Sequence, residues 1–221
     1  NWATNVAGDG PASGAPGYIT DVSFYSTGAG RLTTGVLDAD FDINSLTYIA
    51  GATADTVIGG SPNSLILEAG SGLTVKSPSS GTPTHTISAN VGMATNQTWT
   101  VASDAALSVP GNIGDLGGGN DLAMEGTGTL TLEGTNTYSG ATIVDSGTMI
   151  IGSIADGGAA SAIGQSSAAA ANLALGNGST LRYNTGVAVG STDRGFTIAG
   201  TSPGDSVTIE SASVGAGSLR G

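Results

Sequence analysis

Between residues 126 and 153 the chain reads GTGTLTLEGTNTYSGATIVDSGTMIIGS, and apolar side chains recur there at every second position. Leu130 and Leu132, then Ala141 and Ile143, then Met149 and Ile151 form the apolar positions, with Thr129, Thr131 and Glu133 interleaved in the first pair. Period two sends successive side chains to opposite faces, so the segment predicts three short half-buried strands separated by Gly, Asn and Ser turns.

The same cadence runs through most of the chain. Residues 1–35 read as a loop-rich N-terminal cap: a Pro/Gly loop at 7–17, a short strand at Val22 and Phe24, and Trp2 and Tyr18 packing over an open end. From residue 36 to 221 strands are expected at Phe41/Ile43, Leu46/Tyr48, Val57 with Ile58, Leu65/Leu67, Leu73/Val75, Ile87/Ala89, Trp99/Val101 and Leu107/Val109. They return at Leu173/Leu175, Leu181/Tyr183, Phe196/Ile198 and Val207/Ile209. Gly59-Gly60, Pro62-Asn63 and Gly70-Ser71-Gly72 supply turn chemistry between them. Residues 77–84 read as a polar loop, 111–126 as a glycine-rich connection, and 155–172 as a loop insertion in which Ala168 to Ala171 form at most one helical turn.

Strand starts every roughly eight to fifteen residues indicate an all-β architecture. Two arrangements fit: an antiparallel β-sandwich joined by hairpins, or a parallel β-helix (β-solenoid) in which each strand stacks on one a turn earlier. Leu130 and Met149 lie about twenty residues apart, within the range of solenoid rungs. Short strands and Asn/Gly corners favour the solenoid; periodicity alone leaves the sandwich open.

Composition narrows the picture. The chain has 38 glycines but only 7 prolines and no Gly-X-Y period, which excludes collagen. Aromatics make up 5%, so the core is built from Leu, Ile, Val and Ala and suits a narrow interior. The net charge is −12, and the few cations (Arg31, Lys76, Arg182, Arg194 and Arg220) are scattered. That leaves no basic footprint for nucleic acid and disfavours anionic membranes. The acidity reads as solubility in an extracellular setting. Cysteine is absent, so disulfides, Cys-zinc sites and thiol nucleophiles are excluded. No apolar run has the length of a membrane span. The chain starts at Asn1 without a leader, so a processed or partial chain is expected, any export signal or C-terminal anchor having been removed.

Candidate chemistry is sparse. His85, the single histidine, sits in TPTHT and reads as an exposed loop residue, without a G-x-S-x-G elbow to serve. Glu68, Glu125, Glu133 and Glu210 are the carboxylates a glycosidase would draw on, but by type alone. Asp115, Asn120 and Asp121 in GDLGGGNDL superficially match a calcium loop in one imperfect copy, and Asp38, Asp40 and Asp42 alternate as though sharing one strand face. Gly117 to Gly119 lack the Lys-Ser/Thr of a phosphate loop. No residue is assigned a catalytic, cofactor or metal role; calcium is the one ion left open.

Residues 126–151 closely resemble the autotransporter-associated β-strand repeat, also called the passenger-associated transport repeat. Gly126, Gly128, Leu130, Leu132, Gly134, Asn136, Thr137, Tyr138, Gly140, Thr142, Val144 and Gly147 all match its pattern, while Met149 stands where Leu is usual. The flanks 171–186 and 191–200 resemble the segments that follow this repeat in large bacterial extracellular proteins. The resemblance implies a right-handed parallel β-helix, exported to the cell surface or beyond. No C-terminal outer-membrane barrel pattern follows. The expected function is that of a structural or adhesive solenoid, not an enzyme, associating end to end into filaments or a surface layer or touching other surfaces. A polysaccharide-binding or polysaccharide-degrading passenger is the alternative.

Overall fold

The computed structural model describes residues 17–25, 33–60, 62–184, 190–199, 202 and 204–211. The chain winds as a parallel β-solenoid with almost no helix. The first turn consists of β1 (Asp21–Phe24), β2 (Thr33–Val36) and β3 (Phe41–Ile43), and the second of β4 (Ser45–Tyr48), β5 (Thr56–Gly59) and β6 (Ser64–Leu67). The third is β7 (Leu73–Val75), β8 (Thr84–Ile87) and β9 (Asn90–Met93); the fourth is β10 (Gln97–Val101), β11 (Ala106–Val109) and β12 (Ile113–Gly114). Later turns keep two strands each: β13 (Leu122–Glu125) and β14 (Thr129–Leu132), β15 (Thr142–Val144) and β16 (Thr148–Ile151), β17 (Leu173–Leu175) and β18 (Thr180–Tyr183), β19 (Thr197–Ile198) and β20 (Thr208–Ser211).

Among the described residues, equivalent strands of successive turns pair in parallel, giving two eight-stranded sheets and a four-stranded third one, β3-β6-β9-β12. The antiparallel sandwich is thereby excluded. Register stacks like on like. Along the first sheet, Val22, Leu46, Leu73, Trp99, Met124, Val144 and Leu175 form one inward column. Along the second, Leu107, Leu130, Met149 and Leu181 do the same, and along the third Phe41, Leu65, Val91 and Ile113 follow one another. Each apolar position thus gains neighbours above and below as well as across the core, and the narrow interior accounts for the scarcity of rings.

Inward alternation continues without a break from Gly128 to Val144: every even-numbered residue is buried, through Gly134, Asn136, Tyr138, Gly140 and Thr142. The strand at 142–144 is therefore one residue out of the register that the apolar pattern predicts. Thr142 and Val144 face inward, while Ala141 and Ile143 face outward. A one-residue shift exchanges the faces of a whole strand.

Other expectations also change. Residues 111–126 contain β12 and β13, with Leu122 and Met124 fully buried. His85 belongs to a strand and not to a loop. Asp38 and Asp40 lie before β3 and only Asp42 within it, so the three do not share a strand face. Trp2 lies outside the described residues, and Tyr18 is exposed. A single 3₁₀ turn, Ala170–Asn172, ends the strand-free stretch after β16.

Two glycines show why the turns stack this closely. Gly126 and Gly147 have φ of +92° and +76°, and a Cβ on Gly147 would sit 2.6 Å from the Gly126 carbonyl oxygen of the preceding turn. A side chain at either position meets backbone that has nowhere to retreat.

Where the third sheet stops, the chain after β16 folds over the gap. Asn136 forms an isolated antiparallel bridge with Ser161. Arg194, from a later turn, locks this lobe: its Nη1 donates to Ser166 Oγ at 2.8 Å, its Nη2 to the Gly164 and Ala159 carbonyls at 3.0 and 3.2 Å, and its Nε to the Ala155 carbonyl at 3.1 Å. The planar guanidinium satisfies four acceptors from one buried position.

Candidate functional site

The polar residues of the 126–151 segment that most invite a functional reading point into the solenoid. Asn136 has no exposed surface; its Oδ1 accepts the Ile113 N–H at 2.8 Å and its Nδ2 donates to the Ala162 carbonyl at 2.7 Å. Tyr138 is also fully buried, with its Oη 2.7 Å from Thr142 Oγ1. Because Thr142 Oγ1 donates to the Ile163 carbonyl at 3.2 Å, the Tyr138 hydroxyl is the donor in that pair. These side chains replace ladder hydrogen bonds that the missing third-sheet strand would have made, as buried backbone groups require.

The acidic candidates are corner ties. Asp115 Oδ2 accepts from Ser139 N, Ser139 Oγ and Gly119 N at 2.9, 2.8 and 3.0 Å, and its Oδ1 accepts from Gly117 N at 3.1 Å. Burial pushes the Asp115 carboxyl up, but these four bonds together hold it below the ordinary carboxylate range. Asn120 donates to the Met93 carbonyl at 2.9 Å, and Asp121 Oδ1 accepts the Ala141 N–H at 2.6 Å. Asp40 and Asp55 likewise accept backbone N–H groups of the next turn, from Ser64 and Thr84. Among the described residues, no group of three or more His, Asp or Glu side chains is placed to hold a metal ion.

The glutamates are dispersed. Glu68 follows β6 on the third sheet, Glu125 ends β13 on the first, and Glu133 follows β14 on the second. Glu210 pairs with Arg182. His85 Nδ1 lies 2.9 Å from Thr56 Oγ1, which has the outline of a base and a nucleophile, but the two residues are 1% and 2% exposed and no substrate reaches them. Sequence reasoning placed this histidine on the surface because Pro, Thr and Ser surround it. Its strand alternation with Ile87 was the available signal.

What the solenoid does present is hydroxyl-rich sheet. On the second sheet Thr129, Thr148, Thr180 and Thr208 stand in one outward column, and Thr86, Ser108 and Thr131 in the neighbouring one. On the first sheet Ser23, Thr47, Thr74 and Thr100 align in the same way. Residues one turn apart are about 4.8 Å from each other, so each column is a repeating line of methyl and hydroxyl groups. Such a surface offers donors, acceptors and apolar contact together. Among the described residues, no helix is long and apolar enough to cross a membrane.

Residues 122–151, which span β13 to β16, match the family model of the Passenger-associated-transport-repeat. The chain therefore carries an autotransporter-associated repeat. It is also 42% identical over 97 residues to the Adhesin BmaC autotransporter of Brucella suis biovar 1 (strain 1330). That alignment covers 44% of this chain and 3% of the adhesin, so the chain corresponds to a small part of that relative's length. No solved structure matches.

Proposed function

We propose that this chain is an exported, surface-displayed stretch of an adhesive passenger, acting as a stiff spacer whose hydroxyl-lined sheets make the contact and which performs no catalysis. The observation that carries this reading is the 42% identity to an autotransporter adhesin. The geometry agrees with it: the polar residues inside the repeat are spent on stacking turns, and the chemistry left outside is extended Thr and Ser columns. Contact partners are a host or abiotic surface or its glycans.

Self-association is the finer part of the proposal. Turns of the two long sheets add to one another by parallel strand pairing, and a turn of a second copy can be added in the same way. A second copy stacking end to end extends the sheets into a filament.

Beads coated with the purified chain test the adhesive reading. They should be retained on epithelial cell layers or matrix glycoproteins above albumin-coated beads, with no release of reducing ends from a polysaccharide panel. Retention equal to albumin, or turnover of a polysaccharide, contradicts it. Electron microscopy at high concentration tests the end-to-end part, and a field of dispersed monomers removes it.

A further inference from the structure

One inward column of the second sheet differs from the rest. It runs Thr56, His85, Leu107, Leu130, Met149, Leu181, apolar from Leu107 onward and polar at its head. There the His85 ring lies flat on Tyr48, with centroids 4.1 Å apart and an interplanar angle of 12°, and Tyr48 stacks in turn on Phe24 at 5.7 Å. His85 Nδ1 meets Thr56 Oγ1 at 2.9 Å. The Tyr48 hydroxyl is buried and has no partner within full hydrogen-bond geometry, the Thr56 hydroxyl being the group near enough to favour its ionised form. Tyr48 comes from the first sheet and second turn, Thr56 from the second sheet of that turn, and His85 from the next turn. This cluster therefore joins two faces and two turns through polar groups at the centre of the core.

We propose that Tyr48, Thr56 and His85 form an acid-sensitive joint: a neutral His85 ring keeps the N-terminal turns closed, and a proton on that ring opens them while the passenger-repeat turns stay closed.

The groups facing the ring explain why it works in one direction. From β4 comes the Tyr48 phenol, whose burial pushes its proton affinity up, so it stays neutral. From β5 comes the Thr56 hydroxyl, from β11 Leu107, and from the turn before β5 the Asp55 carboxylate. Asp55 is the charged member, and its Oδ1 is already engaged by the Thr84 N–H at 2.8 Å. A protonated ring would thus be a charge 1% exposed, without a carboxylate bonded to it. Burial holds the ring at about 4, with Asp55 opposing the shift, against an ordinary value of 6.5. An opened turn binds the proton at the ordinary value and a closed turn only near the lowered one. Closure is therefore fully favoured above 6.5 and weakens as pH falls from there toward 4.

The effect stays local because solenoid turns contact only their neighbours. Around the passenger repeat the inward positions are Leu130, Leu132, Tyr138, Thr142, Val144 and Met149, none of which gains a proton between pH 7 and 4. Asp115 is held below its ordinary value of 3.8 by its hydrogen bonds.

Hydrogen exchange of the whole chain, measured by mass spectrometry at pH 7.0 and 4.5 and corrected for intrinsic rates, reads this directly. The amides of β4, β5 and β8 should lose protection by about fifty-fold at the lower pH, as the two proton affinities require, while β14 and β16 change little. In the His85→Leu protein that difference should vanish. Should that variant fail to fold, the NMR titration of the single histidine in the unaltered chain decides instead. A folded-state midpoint well below 6.5 supports the joint; a midpoint near 6.5, or equal loss of protection across all strands, overturns it.

Discussion

Asn136 Oδ1 accepts the Ile113 backbone N–H at 2.8 Å from within the solenoid, one turn further along the chain. Its Nδ2 reaches the other way, to the Ala162 carbonyl of the covering lobe. One side chain thus stands in for ladder bonds at the place where the third sheet ends after β12. Asn136→Ala leaves a buried donor and a buried acceptor unpaired, so a loss of about 3 kcal/mol is expected. Urea unfolding measures it.

Tyr138 and Thr142 form a chain of bonds ending on the Ile163 carbonyl. Removing the end of that chain costs less than removing its middle. Tyr138→Phe should cost about 1 kcal/mol, whereas Thr142→Val orphans both the Tyr138 hydroxyl and the Ile163 carbonyl and should cost about 2 to 3 kcal/mol. With both changes together the loss should be smaller than the sum, and a double-mutant cycle in thermal unfolding shows the coupling.

Gly147 combines a φ of +76° with backbone from the preceding turn pressed against it. Gly147→Ala meets both obstacles and should cost at least about 3 kcal/mol. The Gly178→Ala protein is the comparison: φ there is +77°, but an added methyl group would have no atom within 4 Å, so only about 1 kcal/mol should be lost. Thermal unfolding of the two proteins gives both values. Equal losses would show that inter-turn contact is not what Gly147 relieves.

Asp115 adds a second, more acidic pH dependence. Its folded-state proton affinity is depressed, so the stability it contributes is present above 3.8 and is lost as pH falls below that value. Asp115→Asn should therefore destabilise the chain by about 2 kcal/mol at pH 7. The difference should shrink as pH falls below 3.8, as followed by melting temperature against pH.

The architecture was legible because stacking rewards repetition: Leu46 and Leu73 share one inward column and Leu107 and Leu130 another, and alternation exposes them in the sequence. The Gly126–Gly147 spacing likewise announces one full turn. Register failed at Thr142, where a buried hydroxyl takes the place of an apolar residue because Tyr138 and Ile163 satisfy it. His85 failed for the same reason: its polar character suggests surface, and only three-dimensional proximity supplies the Tyr48 ring. The four lobe acceptors of Arg194 likewise come together only in three dimensions. The Asp115 loop was visible as chemistry, but its partners Gly117, Gly119 and Ser139 show it to be a corner. No pattern in the chain reveals that the outward threonines align, since alignment depends on turns of unequal length.

The repeat's inward polar residues hold the coil, and its outward hydroxyl columns are proposed to make the contact. Bead retention and thermal unfolding, measured side by side on Asn136→Ala and on a Ser108→Glu/Thr131→Glu pair, test it most directly. The outward pair should keep its melting temperature within about 3 °C, since both half-buried side chains point away from the core, and should lose most of its retention. Asn136→Ala should melt well below the unaltered chain yet retain beads normally at temperatures where it remains folded. Undiminished retention by the outward pair would show that these columns do not make the contact.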